Sequence, residues 1–158
     1  MKKIIMVLLF SLIAVISFGQ TKKDYSLDTT SSEYYKLSLG LENGIGNTQM
    51  IDFKIRSYQY NEFKQWLQNI GVKDTEMCLW DKISFGARSI KYELKYRTSL
   101  EYIQSEDNSI VYYGDGSFYL TYYIKAQNGF GNYITSMVSG SIKYKNGQWD
   151  VGFYIHNN

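Results

Sequence analysis

The dipeptide Asn146-Gly147 constrains this chain more than any other feature, because it sets a strand register. Asn-Gly is the preferred pair for a two-residue type I′ turn, in which both central residues take positive φ. With that turn in place, Lys145 pairs with Gln148, Tyr144 with Trp149, Ile142 with Val151, Gly140 with Phe153 and Val138 with Ile155. On the other side Lys143 meets Asp150, Ser141 meets Gly152 and Ser139 meets Tyr154. One face is then apolar with an aromatic over a glycine, and the other is polar with an expected ion pair. A slip of one residue scrambles both faces, so turn and pattern demand the same hairpin.

A period of two runs through most of the remaining chain. Tyr35, Leu37, Leu39 and Leu41 alternate with Tyr34, Lys36, Ser38 and Gly40. A glycine-rich turn over 42–47 follows, and Ile51, Phe53 and Ile55 mark a second strand. Ile90 to Leu100 reads as one long strand with a charged face, Ser109 to Tyr113 as another, and Gly114-Asp115-Gly116 as a turn. Ser117 to Ala126 and Tyr133 to Lys145 are further strands around a loop at 127–132. One segment breaks the rhythm: Phe63, Trp66, Leu67 and Ile70 sit at helical spacing between Asn61, a capping residue, and Gly71, a terminator. Asp74 to Cys78 fits neither period. The expected class is α+β, mainly antiparallel β, a curved meander sheet with one short amphipathic helix packed on it. The 16 tyrosines and the absence of proline suit such a sheet, since tyrosine favours half-buried pleated surfaces.

The N-terminus carries an address. Lys2 and Lys3 precede an apolar run from Ile4 to Ile16, and Ser17-Phe18-Gly19 supplies the small-x-small cleavage pattern. Residues 1–19 are expected to be a signal peptide, 20–32 a flexible leader, and 33–158 a single β-rich domain. The apolar run is shorter than the roughly 20 residues of a membrane helix, so no stable span is expected after cleavage. Export to the periplasm or the extracellular space follows. Removing Lys2 and Lys3 from the 17 basic residues leaves 15 against 15 acidic ones. A neutral domain offers no basic excess to argue for nucleic acid, which needs clustered, unbalanced cations, and no nucleic-acid partner is expected.

The chemistry-bearing residues are few. Cys78 is the only cysteine, so no intramolecular disulfide forms, and it does not follow Gly19, so no lipid-attachment box exists. It reads as a buried, inert thiol. His156 is the only histidine and reads as a rim residue on the last strand, so no two-histidine metal site is available. Glu106, Asp107, Asn108 and Asp115 lack the spacing of a calcium loop and read as solvated turn residues. Neither Gly44-Ile45-Gly46 nor Gly114-Asp115-Gly116 has the helix and lysine of a phosphate-cradling loop. No catalytic residue, metal or cofactor is indicated. Tyr119, Thr121 and Tyr123 share a face opposite Phe118, Leu120, Tyr122 and Ile124, so both faces of that strand are aromatic. Tyr119, Tyr123 and Tyr154 are the ligand-binding candidates, for a protein, peptide or glycan partner.

The closing pattern, a long hairpin ending Lys145-Asn146-Gly147-Gln148-Trp149-Asp150-Val151, resembles the end of nuclear transport factor 2-like (NTF2-like) domains. The resemblance covers about the last 45 residues; the family's N-terminal helices have no counterpart in the pattern beyond 61–71. It implies a curved sheet over a pocket, in a family of small-molecule enzymes and non-catalytic binding modules. Three functions follow from these features. The first is an exported, soluble binding module without catalysis. The second is an NTF2-like enzyme using Asp150 or Glu93 with tyrosine donors, which requires a buried carboxylate of raised pKa. An adjacent Lys143 counts against Asp150 in that role. The third is a small outer-membrane β-barrel of about eight strands.

Overall fold

A computed structural model describes residues 33–156. The expected signal peptide and leader lie outside the described residues. The elements are β1 (Tyr34–Glu42), β2 (Thr48–Arg56), α1 (Ser57–Asn69), α2 (Thr75–Glu93), β3 (Tyr96–Ile103), β4 (Ser109–Gly114), β5 (Ser117–Gln127), β6 (Tyr133–Lys145) and β7 (Gln148–His156). The class is α+β with a mostly antiparallel sheet, as the patterning predicts.

β1 and β2 form a hairpin, and β5, β6 and β7 continue antiparallel across the sheet. β3 and β4 both pair with β5, β3 against its Tyr123–Gln127 end and β4 against its Ser117–Thr121 end. They act as one strand broken at residues 104–108. β2 runs parallel to β4 and meets it in register only at Lys54↔Ser109. Side-chain amides join the rest of this seam. Gln49 Nε2 donates to the Tyr102 carbonyl at 2.5 Å, and its Oε1 accepts from the Tyr102 N–H at 2.9 Å. Gln104 Oε1 accepts from the Asp52 N–H at 2.9 Å. Asn108 is not a solvated turn residue: it is fully buried, and its amide donates to the Ile103 carbonyl to hold the break in place.

The strand order is β1-β2-β4-β5-β6-β7, with β3 beside β5, so β1 and β7 remain separate edges. The described strands form an open sheet, not a closed barrel. Both helices lie on one face. α1 packs on β2 and β4, while α2 reaches from β7 across to β1. A single helix touching both edge strands means that the sheet curls around it. The inward residues of each strand (Leu37, Leu39 and Leu41; Ile51, Phe53 and Ile55; Phe118, Leu120 and Tyr122) join Phe63, Leu67, Leu79, Ile83 and Ile90 from the helices in one core. Full burial of side chains this size stabilises by about 1.5–3 kcal/mol each.

The C-terminal hairpin has the expected register at every pair from Lys145↔Gln148 to Val138↔Ile155. Asn146 and Gly147 have φ of 53° and 79°, the positive values that a type I′ turn needs. Phe153 covers Gly140 so closely that a Cβ on the glycine would lie 2.6 Å from its ring. Lys143 and Asp150 face each other in register but do not close into an ion pair.

Elsewhere the helices correct the sequence reading. α1 begins at Ser57, so Asn61 is interior; Gly71, at φ +86°, does lie just beyond its end. The expected strand from Ile90 to Leu100 is instead the last turn of α2 followed by β3. Leu79, Ile83, Ala87 and Ile90 form a buried stripe at helical spacing. The alternation beyond Ile90 was coincidental, because Tyr92 lies in the helix and is exposed. Asp74, at the head of the unassigned 74–78 segment, caps α2 by accepting from the Met77 N–H at 2.9 Å.

Candidate functional site

The sheet face turned away from the helices carries the tyrosines. Pairing across β5, β6 and β7 aligns Tyr119 with Ser141 and Gly152, Thr121 with Ser139 and Tyr154, and Tyr123 with Met137 and His156. Residues aligned in this way share one face. Tyr119, Tyr123 and Tyr154 are therefore brought together around a centre formed by Thr121 and Ser139. Among the described residues neither helix covers this face. Tyr154 is 66% exposed and Tyr119 39%, and Tyr123 is half-buried between its neighbours.

Gly152 gives Tyr154 its orientation. The Tyr154 hydroxyl, Cε2 and Cζ lie 3.6–4.0 Å from the place where a Cβ on Gly152 would stand. The ring thus leans back along β7 over the bare glycine and offers a face to solvent. Ser139 Oγ and His156 Nε2 are 2.7 Å apart, which ties β6 to β7 beside Tyr154. Ser109 Oγ and Thr121 Oγ1 are joined at 3.0 Å in the same way. The Ser139–His156 distance suits a nucleophile and its base. However, Ser139 is buried, and among the described residues no acid bonds His156 to orient it. The pair is a structural tie with hydrogen-bonding capacity to spare.

Charge is segregated on the same face. On β1 and β2, Lys36 pairs with Asp52 at 2.6 Å, Lys54 pairs with Glu106, and Arg56 lies over the Tyr34 ring. The central β5–β7 patch holds tyrosines, hydroxyls, Met137 and one histidine, bounded by Lys143 and Asp150 beyond Gly152 and by Lys125 beyond Tyr123.

A second feature lies on the helix side, where α2 crosses β1. Trp80, Ser84, Arg88 and Lys91 line a cavity of about 180 Å³ with Glu42 and Tyr102 opposite. Lys91 Nζ donates to Glu42 Oε1 at 2.6 Å and to the Asn43 carbonyl at 2.9 Å. Lys91 thereby holds the Glu42 carboxyl below its ordinary range. Burial pushes the Tyr102 phenol well above its ordinary value. Its hydroxyl donates to the Glu42 carbonyl at 3.2 Å.

The remaining chemistry-bearing residues do not assemble. Asp150 and Glu93 are both exposed and on different elements. Cys78 is half-buried on the first turn of α2, its thiol pushed up by burial, and is not bonded to His156. Among the described residues no cluster of His, Cys, Asp or Glu has the arrangement of a metal site. Sequence reasoning missed the cavity because Glu42, Ser84 and Tyr102 meet only through the βααβ crossover. No family model, curated protein or solved structure matches this chain.

Proposed function

We propose that this chain is an exported, non-catalytic binding module that holds a neutral glycan against the tyrosine-bearing face of its sheet. The observation that carries the reading is the Tyr154 ring laid over Gly152, beside the Ser139 and Thr121 hydroxyls. A flat aromatic face stacks on the apolar face of a sugar ring, and Ser and Thr hydroxyls both donate and accept towards sugar hydroxyls. Export rests on the charged, apolar and small-residue pattern of residues 1–19. The likeness of the closing hairpin to NTF2-like domains, with its register as expected, supports a curved sheet built to hold a ligand. Among the described residues no helix is long and apolar enough to cross a membrane.

The spacing of the three tyrosines fits a short glycan. Tyr119 and Tyr123 are four residues apart, about 13 Å along the strand, and Tyr154 lies two strands away, about 10 Å. The three tyrosines span on the order of 130 Å² between their backbone positions. That spread matches two or three sugar rings. Affinity electrophoresis of the protein through gels containing neutral β-glucan, mannan or chitin-type polymers tests the reading. Retardation by at least one polymer is expected, and Tyr154→Ala is expected to weaken it about tenfold, with a smaller loss for Tyr119→Ala. No retardation by any neutral polymer, or full retention by Tyr154→Ala, contradicts it.

A further inference from the structure

We infer that the cavity between α2 and β1 is a binding site for a small organic carboxylate, independent of the tyrosine face. Trp80, Ser84 and Arg88 stand four residues apart on α2 and so share one stripe of the helix, with Lys91 a turn further on. That stripe faces the end of β1 across a space of about 180 Å³, the liquid volume of about six waters.

The charges decide the class of ligand. Lys91 is committed to Glu42, so those two charges cancel within the site. Arg88 also lines the cavity, close enough for its charge to act on Glu42, while no ion pair or hydrogen bond engages it among the described residues. The net balance is one positive charge carried by a guanidinium, whose fork matches a carboxylate bidentately. The fixed Glu42 carboxylate disfavours a dianion such as phosphate.

Ser84 supplies a second, independent sign. Its Oγ is buried at the cavity with no hydrogen-bond partner. A serine inside a helix ordinarily returns its hydroxyl to the carbonyl four residues back. Ser84 does not, and stands one turn from Arg88, where its O–H is available to a carboxylate oxygen. Trp80 is fixed by its own indole N–H, which donates to the Gly40 carbonyl at 2.8 Å, and offers its ring to an apolar tail. The occupant is therefore a short monocarboxylate, its head on Arg88 and Ser84 and its tail against Trp80.

Butyrate titrated into ¹⁵N-labelled full-length protein at constant ionic strength tests this, with the Trp80 indole and the 80–91 amides as reporters. Saturable shifts confined to those residues and the end of β1 are expected. Arg88→Gln is expected to weaken binding about tenfold or more and Ser84→Ala several-fold. Both variants should keep the unliganded spectrum, since Arg88 is exposed and Ser84 has no partner to lose. Butyramide, the neutral isostere, should not bind measurably. Absence of saturation by butyrate, equal shifts from butyramide or chloride, or unchanged affinity in Arg88→Gln overturns the assignment. Tighter binding of a tripeptide with a free C-terminal carboxylate would overturn the small free acid in favour of a chain end.

Discussion

Gly86 occupies the middle of a 19-residue helix, where glycine costs about 1 kcal/mol relative to alanine. Replacing it with alanine should stabilise the protein if local propensity rules. The packing argues the reverse. A Cβ at position 86 would stand 2.4 Å from two ring carbons of Phe153. The ring has no retreat, because Gly140 of β6, where a Cβ would stand 2.6 Å away, and the Tyr122 ring also pack against it. Phe153 is buried between helix and sheet and fills the space left by both glycines. Overpacking of this kind costs about 1–3 kcal/mol, and a ring confined on both sides places the cost near the upper figure. After the propensity gain, Gly86→Ala should destabilise by about 2 kcal/mol. Urea denaturation of the wild type, Gly86→Ala, Phe153→Leu and the double variant measures the coupling directly. In the Phe153→Leu background the alanine should be neutral or stabilising, a coupling of about 2 kcal/mol. Stabilisation by Gly86→Ala in the wild type, or additivity of the two changes, would refute the packing argument.

Two further effects follow from the seam and the surface charges. Gln49→Ala leaves both Tyr102 backbone groups without their partners in a half-buried seam and should cost about 1–3 kcal/mol; urea midpoints at constant slope check it, and a loss under 0.5 kcal/mol would mean that water replaces the amide. Lysine partners hold the carboxyls of Glu42, Asp52 and Glu106 below their ordinary values of 4.5, 3.8 and 4.5. A carboxyl whose folded-state pKa is depressed adds stability that is present above its unfolded value and is lost as pH falls through the folded value. Thermal midpoints should therefore hold level above about pH 5 and fall below it, less steeply in high salt because Glu42 and Glu106 are exposed. A midpoint that rises on acidification contradicts the pairing.

Residues that carry their structural information locally declared it in the sequence. Asn146-Gly147 and the two faces around it specified β6 and β7 pair by pair. The alternation of Tyr119, Thr121 and Tyr123 against Phe118, Leu120 and Tyr122 separated the outer from the inner face of β5. α2 was hidden because its markers serve tertiary packing. Gly86 is there for Phe153, Ser84 lines the cavity, and Lys91 to Arg97 mimic a strand across the helix end. The parallel seam was hidden too, since Gln49 and Gln104 resemble any exposed amide until strands some 50 residues apart are laid side by side. Asn108 read as a turn residue for the same reason. The orientation of Tyr154 did have a signal: a glycine two residues earlier on the same face leaves room for a ring to lie down.

Mapping a neutral oligosaccharide onto the protein tests the central claim most directly. The probe is the hexasaccharide of whichever polymer retards the protein most, titrated into ¹⁵N-labelled full-length protein and followed by amide and His156 ring shifts. Saturable perturbation is expected at residues 119–123, 137–141 and 152–156, with the Trp80 indole unmoved. These shifts should be lost in Tyr154→Ala without change in the rest of the spectrum. Perturbations centred on the α2–β1 cavity, or shifts at the tyrosine face that survive Tyr154→Ala, would contradict glycan binding at this face.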